Sequence, residues 1–146
     1  MKKDMINKHD KNGRRHGLQE GYWTNGQLSY KGEFKNGLRH GPWEDYYNNG
    51  QLSYKGEFKN DKRNGPWEIY HLNGQIAHKG DYIHGKQHGP WEYYHDNCQI
   101  CSNGEYNNGK RYGLWEGYWT NGQLQYKGEY KQARNIGLWY DSRYDK

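Results

Sequence analysis

A tryptophan recurs every 24 residues in this chain, and most of the residues around it recur with it. The unit from residue 41 to residue 64 reads GPWEDYYNNGQLSYKGEFKNDKRN, and its glycine, glutamate and tyrosine return in phase in the other units. A period of this length predicts a linear array of repeats, in which each unit packs mainly on its neighbours. The repeated tryptophans are Trp43, Trp67, Trp91, Trp115 and Trp139.

The composition predicts a thin folded layer rather than a thick core. Hydrophobic residues make up only 31% of the chain, a proportion that is typical of disordered segments. Aromatic residues nevertheless reach 17%, whereas disordered segments are poor in them. A single sheet whose face is covered by aromatic rings, without a large aliphatic interior, accounts for both the low hydrophobic content and the high aromatic content.

Charge and hydropathy narrow the class of partner. The formal net charge is +5, and acidic and basic residues are interleaved, so we expect no nucleic-acid partner. No stretch approaches the roughly 18 apolar residues of a membrane span. No apolar segment follows the N-terminal lysines as it would in a secretory signal. We therefore expect a cytoplasmic protein, for which peripheral contact with a membrane remains open.

Two turn signals recur in each unit. Asn-Gly between strand-like segments predicts a two-residue type I′ hairpin loop, which needs positive φ at both positions. Two turns per repeat and no helical periodicity predict an all-β fold, an elongated antiparallel β-meander of β-hairpin repeats with about eleven or twelve strands. The first set of turns is Asn25-Gly26, Asn49-Gly50, Asn73-Gly74 and Asn121-Gly122, and the second is Asn12-Gly13, Asn36-Gly37 and Asn108-Gly109, with His84-Gly85 in phase.

A two-residue loop at Asn49-Gly50 also predicts the register of its strands. Tryptophan rings then lie over strand glycines, which compensates for the missing side chains. Opposite charges also face each other, and each such pair contributes roughly 0.2–1 kcal/mol. The predicted pairs are Trp43–Gly56, Phe58–Gly41, Glu44–Lys55, Tyr46–Ser53, Trp67–Gly80, Trp115–Gly128, Glu68–Lys79 and Glu116–Lys127.

Strand pleating sorts the side chains into two faces. The aromatic face is expected to form a minimal core by stacking, and it is also the candidate partner-binding face, because aromatic rows anchor interfaces. Its residues are Trp43, Tyr54, Phe58, Trp67, Tyr82, Trp91, Tyr106, Trp115, Tyr126 and Tyr130. The charged face is expected to carry a ladder of ion pairs rather than acid catalysts, and its candidate residues are Lys31, Glu44, Lys55, Glu68, Lys79, Glu92, Glu116 and Lys127.

The ends of the chain depart from the repeat. Residues 1–10 fit it poorly and are predicted to form a tail or a degenerate cap strand. The repeat array is predicted to span residues 11–140, followed by a C-terminal tail at 141–146. Atypical terminal units are normal in repeat arrays.

The segments YKGEFKNGLRHGPW at 30–43 and YKGEFKNDKRNGPW at 54–67 resemble MORN repeats. The trailing W-E-x-Y-Y-x-N-G-Q-L resembles the bacterial and viral variant of that family that is sometimes labelled antitoxin-like. The resemblance covers about residues 11–140 and implies single-layered or partly curled hairpin arrays that act as scaffolds. Phospholipid binding and membrane association are attributed to some members. The chain departs from the pattern at Asp61 and Cys98, which replace turn glycines, and at Asn103, which replaces a lysine.

The remaining chemical motifs favour ordinary structural roles. Cys98 and Cys101 form a CxxC, but no further metal ligands and no redox setting accompany them. His16, His40 and His88 share one repeat position and are expected to be surface residues. We expect no catalytic residue, no metal and no cofactor, because an active site gathers unlike groups in one pocket, whereas this chain repeats the same groups along a line.

The function predicted is a non-enzymatic scaffold that binds a protein partner of unknown identity, with antitoxin-like neutralisation of that partner as a specific form. The alternative is a module that binds an acidic phospholipid surface, since lysine and arginine beside tryptophan and tyrosine suit a membrane interface. A second alternative is a polysaccharide-binding repeat, because such arrays also resemble choline-binding and cell-wall repeats. Open sheet ends further predict an edge-to-edge homodimer.

Overall fold

The computed structural model describes residues 6–131 in full and the backbone of residues 134–135 and 140–141. Ten strands follow one another in this part of the chain, each hydrogen-bonded antiparallel to the next, and none of the described residues is helical. The all-β antiparallel meander predicted from the sequence is therefore confirmed. Trp139 and the outermost residues of both predicted tails lie outside the described residues.

The strands lie in the sheet in the order in which they occur in the sequence. They are β1 (Gly17–Tyr22), β2 (Leu28–Lys35), β3 (Leu38–Tyr46), β4 (Leu52–Lys59), β5 (Lys62–Tyr70), β6 (Ile76–Ile83), β7 (Lys86–Tyr94), β8 (Ile100–Asn107), β9 (Lys110–Tyr118) and β10 (Leu124–Lys131). Two short strands, β11 (Arg134–Asn135) and β12 (Tyr140–Asp141), both pair with β10.

The turns along one long edge of the sheet are the two-residue loops that the sequence predicts. Asn36 and Gly37 have φ values of 53° and 81°, and Lys35 pairs directly with Leu38. The turns at His84-Gly85 and Asn108-Gly109 have the same geometry, and so does the one at Asn60-Asp61, where Asp61 reaches φ 68° without glycine. Asn12-Gly13 was wrongly assigned to this class, because only Gly13 has positive φ.

The turns along the opposite edge are longer than predicted. The Gly50 amide donates to the Tyr47 carbonyl, the Tyr47 amide donates to the Gln51 carbonyl, and only Gly50 of the Asn49-Gly50 pair has positive φ. This is a three-residue loop with glycine in the left-handed position, a common hairpin alternative to the two-residue type I′ turn. The prediction of a two-residue loop at this position and of the pair Tyr46–Ser53 was wrong, since Tyr46 pairs with Leu52.

The rest of the predicted register is nevertheless correct. A bulge between Asp45 and Tyr46 offsets the extra loop residue, so that Trp43 lies opposite Gly56 and Glu44 opposite Lys55. The next hairpins repeat this arrangement, with the pairs Trp67–Gly80, Glu68–Lys79, Trp115–Gly128 and Glu116–Lys127. A second bulge around Gly41, which has φ 85°, inserts two extra residues in β3 opposite β2.

The three-residue loops are stacked on one another by asparagine side chains. Asn49 donates to the Leu72 carbonyl of the next loop, while its own side-chain oxygen accepts from the Gln51 amide. The residue after each strand adds a second bond of the same kind, as where the Tyr47 hydroxyl donates to the Tyr70 carbonyl at 2.7 Å. Asn25, Asn73 and Asn97 repeat the first bond, and Trp23, His71 and His95 repeat the second.

The core of the sheet is a line of tryptophan rings that cover glycines. Trp67 and Trp91 are 1% exposed and Trp115 is fully buried. The covered glycine belongs to the preceding strand, because a methyl group at Gly56 would lie 2.3 Å from the Trp67 ring and one at Gly80 equally close to Trp91. The predicted partner glycine, 13 residues after each tryptophan, pairs with it in the register but is not the one beneath its ring.

The N-terminal segment packs along the first strand. The Asn7 amide donates to the Leu18 carbonyl, and His9 forms an isolated antiparallel bridge with Arg15. Gln19 stands where later units have tryptophan, is 2% exposed, and donates through Nε2 to the Lys8 carbonyl. A buried amide thus takes the place of a buried ring at this end of the array.

Within the described residues, no helix has the length and the apolar character needed to cross a membrane.

Trp67→Ala should destabilise the protein far more than Glu68→Ala. Trp67 is 1% exposed and its ring fills the space above Gly56, and truncation of a large buried aromatic side chain costs roughly 3–5 kcal/mol. Glu68 forms a surface ion pair with Lys55, which is worth about 0–1 kcal/mol. Thermal melts of the two variants check this, and equal shifts in melting temperature would contradict the assignment of the tryptophan line as the core.

Cys98→Gly should stabilise the protein slightly. Cys98 has φ 70° at a position where other loops carry glycine, and a left-handed backbone costs a non-glycine residue about 1–2 kcal/mol. Glycine also gains entropy in the unfolded chain, so the expected net gain is roughly 0.5–1 kcal/mol. Urea unfolding measures it, with Cys101→Ser as the control that alters the second cysteine without changing the loop.

Candidate functional site

Half of the predicted aromatic face is the core itself. Trp43 is 6% exposed, Phe58 is 4% exposed, and Trp67, Trp91 and Trp115 are more completely covered. The rings meet edge to face: Trp67 lies 5.0 Å from Phe58 and 6.0 Å from Tyr82, measured between ring centroids. These five residues are not surface groups in this structure, so a partner on this face would meet other side chains first.

Arginine side chains, which the sequence analysis did not single out, cover part of the aromatic face. The guanidinium carbon of Arg63 lies 4.6 Å from the Trp67 ring centroid, and that of Arg111 lies 4.4 Å from Trp115. Arg39 lies 4.0 Å from the Phe58 ring centroid. These cation–π contacts hold the charged groups over the rings. The recurrence of arginine four residues before tryptophan was the sequence signal that would have found them.

The tyrosines of the aromatic face are half-buried and hydrogen-bonded. Arg63 donates to the Tyr82 hydroxyl, and the Tyr106 hydroxyl lies 2.9 Å from that of Tyr93. Burial and the neighbouring Asp45 raise the pKa of Tyr54, in that order. Tyr126 and Tyr130 are also half-buried, and Arg111 donates to the Tyr130 hydroxyl. That this face binds a partner remains a prediction. The groups of this face that a partner could contact are the tyrosine phenols and the arginine guanidinium groups, because the tryptophan rings and Phe58 are buried.

The charged face carries a row of alternating glutamates and lysines, which we call the ion-pair row. Lys55 binds Glu68 at 3.2 Å and Lys79 binds Glu92 at 3.7 Å, so both lysines turn to the glutamate of the following strand rather than to the predicted one. Lys127 binds Glu116 at 3.3 Å, as predicted. The row also contains Lys31, which lies opposite Glu20 and Glu44 in the register.

Each glutamate of this row accepts a hydrogen bond from the tyrosine two residues later. Tyr70 donates to Glu68 and Tyr118 to Glu116, and these bonds are the first cause that lowers the pKa of each carboxyl, ahead of the partner lysine. Tyr46, Tyr94 and Tyr22 make the same contact with Glu44, Glu92 and Glu20. Glu68 and Glu116 are therefore held in place as carboxylate ions, and the tyrosine–glutamate contact itself is repeated along the sheet.

The cysteines and histidines occupy positions in the repeat framework. Cys98 completes a loop in which its amide donates to the His95 carbonyl, in the place of a glycine amide. His78 stacks on Tyr93 at 5.1 Å between ring centroids, and burial lowers its pKa. Within the described part of the chain, no three His, Cys, Asp or Glu side chains come together as metal ligands.

The fold and its repeated rows define a tandem β-hairpin repeat protein. The family model of the MORN repeat variant matches residues 15–36, 39–60, 63–84 and 111–132. Because these four segments cover more than half of the chain, the protein belongs to the MORN repeat family. The unmatched segment between residues 85 and 110 contains Cys98, Cys101 and Asn103.

Other comparisons are distant. No match was found among the curated proteins. Solved structures of TarM, one of them from S. aureus in complex with fondaparinux, alpha-GlcNAc-glycerol and UDP, are 11% identical over 83% of this chain, with a TM-score of 0.36. The GtfA/B complex bound to UDP and GlcNAc is 11% identical over 73% of this chain, with a TM-score of 0.33. The chain spans 21% to 23% of the length of these proteins, and similarity at this level carries no functional argument.

Tyr46→Phe should reduce the loss of stability at alkaline pH. Burial, the hydrogen bond to Glu44 and the charge of Glu44 raise the pKa of Tyr46 to about 12. A folded-state pKa above the unfolded value of about 10 gives a stabilisation that is complete below pH 10 and lost as pH rises towards 12. The free energy of unfolding between pH 9 and 12 should therefore fall less steeply in Tyr46→Phe than in the wild type. Tyr112→Phe, at an exposed position, is the control, and identical slopes in all three proteins would contradict the assignment.

Proposed function

We propose that this protein is a non-enzymatic scaffold that binds a protein partner along its repeat array. The observation that carries the proposal is the recurrence of the same groups along the sheet. Lys55, Lys79 and Lys127 lie in one row with their glutamate partners. Successive lysines of this set are two or four strands apart. Such a surface offers many equivalent contacts to an extended partner, whereas catalysis needs unlike groups in one pocket.

Neutralisation of a toxic partner protein would be a specific form of this function. A scaffold of this kind inhibits by covering a surface of its partner, and the long row of equivalent groups suits that role better than it suits chemistry. The W-E-x-Y-Y-x-N-G segment, which resembles the antitoxin-like variant of the family, supports this form of the function. Edge-to-edge dimerisation also remains a prediction.

One feature favours the acidic phospholipid alternative. Lysines collect along the edge that carries the two-residue turns, where the stem of Lys62 lies beside Gly85 and that of Lys86 beside Gly109. Lys59 lies directly opposite Lys62 in the register, so like charges adjoin. None of these lysines forms an ion pair within the described residues. A cationic edge of this kind attracts an anionic surface.

Polysaccharide binding has less support. Sugar rings stack on exposed aromatic rings, and four of the repeated tryptophans, Trp43, Trp67, Trp91 and Trp115, are buried in the core.

Deletion of residues 65–88 should leave a folded protein that binds its partner more weakly. The deletion removes one repeat, and the flanking strands present matching edges, so circular dichroism should still report a β-sheet. Affinity should fall because fewer contacts accumulate along a shorter array. The measurement is affinity capture with mass spectrometry, followed by titration of the recovered protein against both forms, and equal affinity for the two forms would contradict the proposal.

Liposome sedimentation at low salt separates the two leading functions, because electrostatic attraction is then strongest. The membrane alternative predicts binding to acidic vesicles that is lost on charge reversal of Lys59, Lys62, Lys86 and Lys110. Lys110 lies on the same edge, where it pairs with Asn107 beside the turn at Asn108-Gly109. Charge reversal of Lys31, Lys55, Lys79 and Lys127 is the matched control within the ion-pair row. The absence of vesicle binding by the wild type, together with recovery of a protein partner, supports the scaffold.

A further inference from the structure

A second row crosses the charged face beside the ion-pair row. In this row an apolar residue on one strand lies directly opposite a carboxylate on the next, so that apolar and acidic side chains alternate along the sheet. The pairs are Leu18–Glu33, Pro42–Glu57, Pro66–Asp81, Pro90–Glu105 and Leu114–Glu129. We call this the acidic–apolar row.

The acidic–apolar row differs from the ion-pair row in its charge balance. Each carboxylate of the ion-pair row lies opposite a lysine or asparagine. Each carboxylate of the acidic–apolar row lies opposite proline or leucine on one neighbouring strand, and on the other side the register pairs Glu57 with Asn64, Asp81 with His88 and Glu105 with Tyr112. Within the described residues, none of the carboxylates of the acidic–apolar row forms an ion pair. All five carboxylates and the three prolines are exposed to solvent. The row is thus a line of carboxylates that lack a lysine or arginine partner within the described residues.

Shallow depressions lie between the two rows and repeat along the sheet. One is lined by Pro42, Glu44, Lys55, Glu57, Pro66 and Glu68, with Gly56 as part of its lining. Gly32, Gly80 and Gly104 line the equivalent depressions. The glycines that the tryptophans need on the aromatic face therefore leave open backbone on the charged face, flanked by proline and carboxylate side chains.

The depression around Gly104 is the most acidic. It is lined by Glu92, Glu105 and Glu116, and Asn103 takes the place of the lysine found in the equivalent depressions. Leu114, which is 48% exposed, adds an apolar side chain where other repeats carry proline. Lys79 binds Glu92 and Lys127 binds Glu116, whereas Glu105 forms no ion pair within the described residues. The lining of this depression contains no lysine or arginine.

We propose that the acidic–apolar row docks an extended cationic segment of a protein partner, with its strongest contact at the depression around Gly104. The proposal rests on the scaffold function and assigns the face and the chemistry of the partner. Carboxylates of the row recur every two strands, roughly 9.6 Å apart. A polyproline II segment places every third side chain on one side at steps of about 9.3 Å. A segment with arginine or lysine at every third position therefore matches the row, with its intervening apolar residues over the prolines.

The charge of the row also decides between classes of partner. Phosphates of a membrane or of a nucleic acid would meet uncompensated carboxylates here, and like charges across an interface disfavour binding. The cationic edge with Lys62 and Lys86 is a separate surface on the other side of the acidic–apolar row. An anionic partner at that edge and a cationic partner on the row would not compete for the same groups.

The test uses the full chain and a fluorescent peptide of four Arg-Pro-Pro units, titrated at low salt. A peptide of the same composition with its four arginines adjacent is the control for spacing, and an acidic vesicle is the control for partner class. We expect the periodic peptide to bind more tightly than the clustered one. Equal affinities for the periodic and the clustered peptide would overturn the proposal.

Two variants locate the site without disturbing the fold. Asn103→Lys restores the residue that other repeats carry, so it should fold as well as the wild type, and its ammonium group should weaken peptide binding about fivefold. Glu105→Gln removes one carboxylate of the row and should weaken binding about threefold. Asp96→Asn makes the same change of charge in an exposed loop on the opposite edge and should leave affinity unchanged. If the first two variants bind like Asp96→Asn, the row is not the site.

The outcome is separable from that of the scaffold proposal. A protein partner that is captured by the wild type and equally by Asn103→Lys and Glu105→Gln would leave the scaffold standing and remove this assignment of its docking face. The opposite outcome is that no protein partner is captured, while the periodic peptide binds and these variants weaken its binding. The row would then be shown to dock a cationic peptide, and the scaffold function would be contradicted.

Discussion

The contact between each tryptophan ring and the glycine beneath it is the interaction on which the array depends. A sheet with one layer has no second layer to cover its side chains, so the rings themselves must exclude water. Trp67, Trp91 and Trp115 do this by lying flat enough on Gly56, Gly80 and Gly104 that no methyl group would fit between ring and backbone. Each ring also donates through Nε1 to a backbone carbonyl ten residues earlier, which fixes its orientation.

This contact shapes both faces of the sheet. On the aromatic face it brings the rings of successive strands into edge-to-face contact and leaves room for Arg63 and Arg111 above them. On the charged face it leaves the open backbone that lines the depressions between the two charged rows. One glycine in each repeat thus makes room for the tryptophan ring on the aromatic face and forms part of a depression on the charged face.

Much of the fold was predictable because its determinants are local and repeated. The 24-residue period and the Asn-Gly turns indicated the meander, and the pairs Trp43–Gly56 and Glu44–Lys55 followed from the turn position. The predicted length of the loop at Asn49-Gly50 was one residue too short. The predicted register beyond Asp45 is nevertheless correct, because a bulge there offsets the extra loop residue. The position of a bulge depends on the relative twist of the two paired strands. The identity of a single residue does not predict that twist.

The sequence by itself determined that the chain is a β-hairpin array, where its turns lie, and which residues share a face, because turn chemistry and the alternation of side chains are properties of short segments. Only the tertiary structure decided which neighbour each side chain contacts. Lys55 lies between Glu44 and Glu68 in the register and binds Glu68, and Trp67 lies between two glycines and covers Gly56. Each residue in the interior of a sheet has a neighbour on both sides, and the choice between them is made by side-chain rotamers and packing across strands, which no repeat pattern encodes.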